Sequence, residues 1–284
     1  MRILVTGSKG QLGRELCETL SLNKDIQVIG HDRDTLDITC WSEVIREVTD
    51  VKPNVIINTA AYTNVDACET DYSGAHAVNV IGAMHMARAA EIVGSKIIHI
   101  STDFVFDGKK GSDYFEYDAT NPLSVYGKTK LAGEWAVRNE CRNHFIIRTS
   151  WLYGKYGNNF VKTMIKIGKQ NDEIKVVTDQ VGSPTYATDL VGVIEKFLNS
   201  ETYGIYHFSN KGHCSWNEFA KEIFVQMKMN TVVQETTSVE FIRPAARPAY
   251  SVMDTDMIKA SLRLDIEDWK VSLGKFISNG GDEW

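Results

Sequence analysis

An α/β fold with a doubly wound parallel sheet and a smaller C-terminal α/β lobe is what this sequence predicts, from three observations. Short β-branched apolar runs alternate with longer amphipathic stretches over the first half, the pattern of βαβ units feeding a parallel sheet. A glycine-rich segment follows the first apolar run directly, at the mouth of the first amphipathic stretch. After about Ser150 the alternation loosens into mixed helices and short strands, without a long linker or low-complexity tract.

Taken in order, the strands are predicted at residues 3–6, 26–30, 55–58, 96–100 and 145–148. Each is a short, nearly continuous apolar run, so each is expected to be buried on both faces. Between them, apolar residues at helical spacing predict helices near 11–22, 42–49, 71–93 and 124–139. In the second half helices are predicted near 157–169, 186–199, 215–228 and 266–278. The expected division is a dinucleotide-binding Rossmann-like domain over 1–150, with a return at about 186–210, and a mainly substrate-binding lobe over 151–284.

The 284 residues, 43% of them hydrophobic, suffice for a large core. The net charge of −6 arises from 37 acidic and 31 basic residues with no basic run, which argues against nucleic acid as a partner. Met1-Arg2 leads straight into Ile3-Leu4-Val5 and then polar sequence, too short for a signal segment or a membrane span. A cytoplasmic protein with no membrane association is expected. Cys17, Cys40, Cys68, Cys141 and Cys214 are widely spaced, with no Cys-x-x-Cys pair, and read as reduced structural residues.

In MRILVTGSKGQLGREL, Gly7, Gly10 and Gly13 fall between a strand and a helix. Bare backbone there permits a tight turn and close approach of a pyrophosphate, and the helix N-terminus favours the anion. Gln11 and Leu12 lie within the same turn. The spacing is Gly-x-x-Gly-x-x-Gly, which resembles the extended short-chain dehydrogenases. After the second strand, Asp32 can accept from a ribose hydroxyl while Arg33 can tolerate a 2′-phosphate, two cues that conflict. The plainer alternative is a pair of solvated side chains at a strand end.

Tyr126 and Lys130 stand four apart on a predicted helix and share a face. A neighbouring ammonium stabilises phenolate and makes the phenol a usable proton donor. Ser101-Thr102-Asp103 lies at the C-terminal end of the fourth strand, the edge where open parallel sheets hold ligands. Either motif alone occurs by chance; together with the glycine-rich turn they form one constellation, a hydroxyl, a phenol and an ammonium beside a nucleotide.

The segment Ser101-Thr102-Asp103-Phe104-Val105-Phe106-Asp107-Gly108 resembles a signature of the dTDP-4-dehydrorhamnose reductase family. Similar segments run through nearly the whole chain: 58–66 (NTAAYTNVD), 121–123 with 126–134 (YGKTKLAGE), 148–154 (RTSWLYG), 182–185 (GSPT), and Arg247-Pro248 with Ser251. The resemblance implies that Thr102 polarises a 4-keto oxygen, Tyr126 protonates it, and Lys130 holds the nicotinamide ribose. Asp37, Ile38, Ala60, Ala61 and Tyr62 match positions that line the adenine and ribose. Asp103, Phe104, Val105 and Trp151 are placed around the sugar, with Asn159, Arg247 and Ser251 as further contacts. The implied cofactor is NADPH or NADH, with NADPH slightly preferred, and the implied partner is a dTDP-sugar, acted on in the last step of dTDP-rhamnose formation.

Three rival activities share parts of this pattern. Sugar-nucleotide 4,6-dehydratases carry an Asp-Glu pair after the strand-end threonine; here the second position is Phe104, whose ring cannot shuttle a proton. A sugar-nucleotide 4-epimerase uses the same Thr, Tyr and Lys but recycles its NAD. A non-catalytic regulatory subunit like that of methionine adenosyltransferase can retain the motifs. No metal-binding spacing is present. The resemblance also brings Mg²⁺ held by glutamates at a homodimer interface, with Glu15 a candidate, against which stands an ordinary exposed helix residue.

Overall fold

The computed structural model describes residues 1–280; the last four residues assigned to the substrate lobe lie outside the described residues. The first half contains β1 (Arg2–Thr6), α1 (Gln11–Leu20), β2 (Gln27–His31), α2 (Trp41–Val51), β3 (Val55–Asn58), α3 (Val65–Cys68), α4 (Tyr72–His76), α5 (Ala83–Val93), β4 (Lys96–Thr102), α6 (Val125–Glu140) and β5 (His144–Thr149). The second half contains β6 (Leu152–Tyr153), α7 (Phe160–Gly168), β7 (Glu173–Val177), β8 (Val181–Gly182), β9 (Thr185–Tyr186), α8 (Ala187–Phe197), β10 (Gly204–His207), β11 (Cys214–Ser215), α9 (Trp216–Gln226), β12 (Val232–Thr236), α10 (Asp256–Leu262) and α11 (Trp269–Gly280).

Six strands form one parallel sheet in the order β10-β5-β4-β3-β1-β2. Winding reverses between β1 and β3, and that switch opens a crevice at the carboxyl edge. Alternate residues of the strands feed two cores. Ile3, Val5, Ile57, Ile98 and Phe145 pack with Leu12 and Leu16 of α1 and Leu190 and Ile194 of α8. Leu4, Ile56, Ile97 and Ile146 face Val44 and Val48 of α2, Met86 and Ala90 of α5, and Val137 of α6. The expectation of burial on both faces fails at β2, whose residues are only partly buried or exposed, because it is an edge strand paired to β1 alone.

Residues 71–93, predicted as one helix, are continuous but change pitch: a π-helical stretch, Ala77–Gly82, separates α4 from α5. It carries buried Asn79, whose Oδ1 accepts from the Tyr62 amide at 2.8 Å and whose Nδ2 donates to Thr129 Oγ1 of α6 at 3.1 Å. Thus one widened turn bonds the loop after β3 to the helix carrying Tyr126.

The chain leaves the sheet after β5, then returns: α8 covers the α1 face and β10 adds the final strand beside β5. The remaining C-terminal residues build a lobe around Val161, Ile165, Phe219, Ile223, Trp269 and Leu273, flanked by the parallel pair β7 and β12. The lobe is stitched to the first half. Asp66 of α3 accepts from Arg243 Nε at 2.9 Å and Arg247 Nη2 at 3.2 Å, and from the Ala245 amide at 3.2 Å. Among the described residues no helix is long and apolar enough to cross a membrane.

Candidate active site

A cavity of about 860 Å³ opens along the carboxyl edge of the sheet, between the first half and the lobe. One end is the turn after β1. Gly7 has φ of +72°, and a Cβ there would sit 2.8 Å from the Ala60 amide nitrogen; a Cβ on Gly13 would collide with the Gly7 carbonyl. Helix α1 begins at Gly10 with no side-chain cap, so its first amides remain available to an anion. This bare backbone cradle fits the pyrophosphate of a dinucleotide.

All the residues predicted to hold the cofactor line this cavity: Gly7, Gly10, Gln11, Leu12, Gly13, Asp32, Arg33, Asp37, Ile38, Ala60, Ala61, Tyr62, Tyr126 and Lys130. Lys9, which sequence reasoning passed over, joins them and forms an ion pair with Asp32. That pair holds the Asp32 carboxyl below the ordinary carboxylate range. A lysine inside the glycine-rich turn was the available signal.

At the other end lie Thr102, Asp103, Phe104, Tyr126, Lys130 and Trp151. Ser124 caps α6 by accepting from the Gly127 amide at 3.1 Å, which fixes where the helix starts. A Cβ on Gly127 would collide with the Phe104 carbonyl and lie 2.9 Å from Pro122 Cβ. The helix can therefore press against the short 3₁₀ turn Asp103–Val105, bringing Tyr126 to Thr102. The Thr102 hydroxyl donates to Asp103 Oδ1 at 3.0 Å and accepts from the Phe104 amide at 3.2 Å, and it lies at the same end of the cavity as the Tyr126 phenol. Phe104 packs edge-on against Tyr126, ring centroids 5.5 Å apart.

Burial dominates the electrostatics. It raises the Tyr126 phenol above its ordinary value, opposed by the hydrogen bond from Thr102. It pushes Asp103 up to about 6, opposed by bonds from Ser251 and Thr102. It lowers Lys130 to about 8, opposed by the charge of Glu134. Lys130 Nζ donates to the Ile100 carbonyl at 2.6 Å, so its ammonium is held at the floor of the cavity. The sequence-based account credited Lys130 with easing Tyr126 ionisation; here the easing contact is Thr102.

Trp151 has φ of +48°, in the left-handed region that a bulky side chain seldom adopts, and its ring stacks on Trp216 with centroids 3.5 Å apart. The stack over-determines this backbone and sets the indole as the lobe's contribution to the cavity wall.

Four of the predicted substrate contacts stand elsewhere. Val105 is wholly buried in a cluster with Phe106, Tyr114, Leu131 and Met253. Asn159 caps α7 by accepting from the Lys162 amide at 3.0 Å and donates to Gly154 O at 2.9 Å and Gln11 Oε1 at 3.1 Å, leaving Asn158 to line the cavity. Arg247 is engaged by Asp66. Ser251 is buried and donates to Asp103 Oδ2 at 2.6 Å, so it reaches the site only through that carboxylate. Sequence identity marks such residues without giving their direction.

Glu15, read as an exposed helix residue, is buried where α1 meets α8; it accepts from the Thr188 hydroxyl, and burial raises its carboxyl. Its neighbours Arg14 and Glu18 follow the solvated pattern, but the α8 crossover covers Glu15. Among the described residues no group of three or more His, Cys, Asp or Glu is placed to hold a metal ion.

The profile of the RmlD substrate binding domain family matches residues 1–281. A dTDP-4-dehydrorhamnose reductase of Aggregatibacter actinomycetemcomitans is 42% identical over 284 residues, covering 96% of this chain and 97% of the relative. The crystal structure of a dTDP-4-dehydrorhamnose reductase from Clostridium acetobutylicum superposes with a TM-score of 0.96 at 47% identity, covering 98% of this chain and 99% of that one. That of the Bacillus anthracis reductase, in complex with NADP, gives a TM-score of 0.95 at 44% identity with the same coverage. The chain belongs to the RmlD substrate binding domain family, together with these dTDP-4-dehydrorhamnose reductases.

Proposed function

We propose that this protein reduces the 4-keto group of dTDP-4-dehydro-L-rhamnose to give dTDP-L-rhamnose, with NADPH or NADH as reductant, in the last step of dTDP-rhamnose biosynthesis. The observation that carries it is one continuous cavity with a dinucleotide cradle at one end and Thr102, Tyr126 and Lys130 at the other. A reduced nicotinamide, when bound in that cradle, would supply the hydride for the keto carbon.

Thr102 and Tyr126 line the same end of the cavity. A keto oxygen seated between the two hydroxyls can accept a hydrogen bond from each, the Thr102 proton turning from Asp103 Oδ1. Tyr126 then gives its proton to the oxygen as negative charge grows there, and Thr102 orients the carbonyl. Lys130, fixed by Ile100 O, would present its ammonium to the cofactor ribose. Phe104 and Trp151 provide an apolar wall that keeps water from the developing alkoxide. Residues 1–150 with the return at 186–210 form the part that holds the cofactor, and the rest of 151–280 the part that holds the sugar nucleotide.

NADPH is favoured over NADH in this reading. An uncompensated Asp32 would repel a 2′-phosphate, but Lys9 already neutralises it and Arg33 stands beside it on the cavity wall.

The test is incubation with dTDP-4-dehydrorhamnose and each reduced cofactor while absorbance at the nicotinamide band is followed. One cofactor oxidised per sugar reduced is expected. Sugar conversion without cofactor consumption would point to epimerisation, and no conversion would end the reductase reading.

A further inference from the structure

Glu134 stands on α6 one turn beyond Lys130 and two beyond Tyr126, so the three share a helix face. Its side chain is only 1% exposed and does not line the cavity. Oε1 accepts from Ser101 Oγ at 2.5 Å and Arg148 Nε at 2.9 Å, and Oε2 accepts from Arg148 Nη2 at 2.7 Å. Ser101 immediately precedes Thr102, and Arg148 is the penultimate residue of β5, just before the wall residues Thr149, Ser150 and Trp151. A buried ion pair of this kind adds little net stability over an apolar filling, so its presence calls for another account.

From this geometry we infer that Glu134 is a positioning residue for the reaction: its carboxylate sets the strand end bearing Thr102, the helix bearing Tyr126 and Lys130, and the strand leading to Trp151 in one arrangement, and it is the counter-charge that keeps Lys130 an ammonium. The inference rests on reading Tyr126 and Lys130 as the groups beside the keto oxygen and the nicotinamide ribose.

The other titratable groups around it leave the second role to Glu134. His99 of β4 is fully buried and is kept neutral by burial and by the Lys130 charge. His207 of β10, 3.3 Å from Arg148 Nη1, is likewise held neutral, by burial and by Arg148, with its value at about 3. Glu116 sits behind Arg148, its carboxyl raised by burial, and bonds the His207 amide at 3.0 Å. Asp103 lies on the far side of Tyr126 and acts on the phenol. The attraction that opposes Lys130 deprotonation comes from Glu134.

The experiment compares the wild type with Glu134→Gln and Glu134→Asp, each checked for folding by thermal melt. Steady-state kinetics with dTDP-4-dehydrorhamnose are measured across alkaline pH, and NADPH affinity is measured separately by fluorescence without sugar. For Glu134→Gln, kcat should fall about tenfold or more with KM for the sugar nearly unchanged. The alkaline limbs of kcat and of NADPH affinity should both move to lower pH by about one unit. Glu134→Asp keeps the charge but shortens the reach, so it should lower kcat and leave both limbs in place. If the lone Arg148 left by Glu134→Gln prevents folding, Glu134→Gln/Arg148→Met carries the same measurements. A folded Gln variant or double variant with wild-type kcat and unmoved limbs overturns the inference. A wild-type protein that binds NADPH but does not reduce the sugar overturns the reading beneath it instead.

Discussion

Tyr126 is seated by its ring and works by its hydroxyl, so Tyr126→Phe should keep the edge contact with Phe104 and lose the proton. Turnover is expected to drop by roughly 10²–10⁴ with NADPH affinity retained, measured by single-turnover kinetics and equilibrium titration. Lys9→Ala leaves Asp32 uncompensated, and the ratio of kcat/KM for NADPH over NADH should fall by roughly tenfold, the scale of one charge-assisted hydrogen bond. Asp103 gives a signature in stability. Burial raises its carboxyl from 3.8 to about 6, so between those pH values the folded chain keeps a proton that the unfolded chain releases. Stability from this group is therefore present below 3.8 and lost as pH rises through 6. Asp103→Asn removes that loss, and its stability relative to wild type should climb by up to about 3 kcal/mol across the window, read from melts at successive pH values. Lys9 was passed over, whereas Asp103 and Tyr126 were visible in the sequence as residue types beside a motif. Their partners were not, because a motif fixes identity and spacing while direction depends on neighbours far along the chain, as Ser251 on Asp103 and Asp66 on Arg247 illustrate.

Among the elements, α6 and the 3₁₀ turn meet with no spare room at Gly127. Gly127→Ala must push the helix away from Phe104, and with it Tyr126 from Thr102; the expected result is a loss of about 1–3 kcal/mol in stability and a disproportionate loss of kcat, seen by comparing melts with turnover. The core strands were legible since a parallel strand covered by helices reads as an unbroken apolar run, as Val55–Asn58 does. The π stretch Ala77–Gly82 was not, because one widened turn barely shifts the phase of apolar residues across a long helix. Strand β10 was missed as well: Gly204–His207 is four residues long, and its strand character comes from pairing with β5.

Across the whole molecule, the cleft has one wall from each half, and the Asp66 clasp ties those walls together. Burial alone would raise Asp66, yet Arg247 and Arg243 hold its carboxyl at about 2, so the clasp remains charged throughout the physiological range. The sheet itself has a further consequence for how the molecule is made. Its outermost strand is drawn from residues past 200, and the helix covering Phe145 and Ile147 comes from residues past 186. A ribosome that has released only residues 1–150 has therefore delivered a half-built nucleotide fold, with β5 offering unsatisfied amides and carbonyls and one apolar flank bare. Expressed alone, that fragment should aggregate or be degraded, whereas mixing it with the complementary remainder during refolding should recover NADPH binding. Solubility and cofactor titration of the two pieces would decide the matter. Competence thus arrives late in synthesis, and a stalled or truncated product has no partial activity to offer the cell.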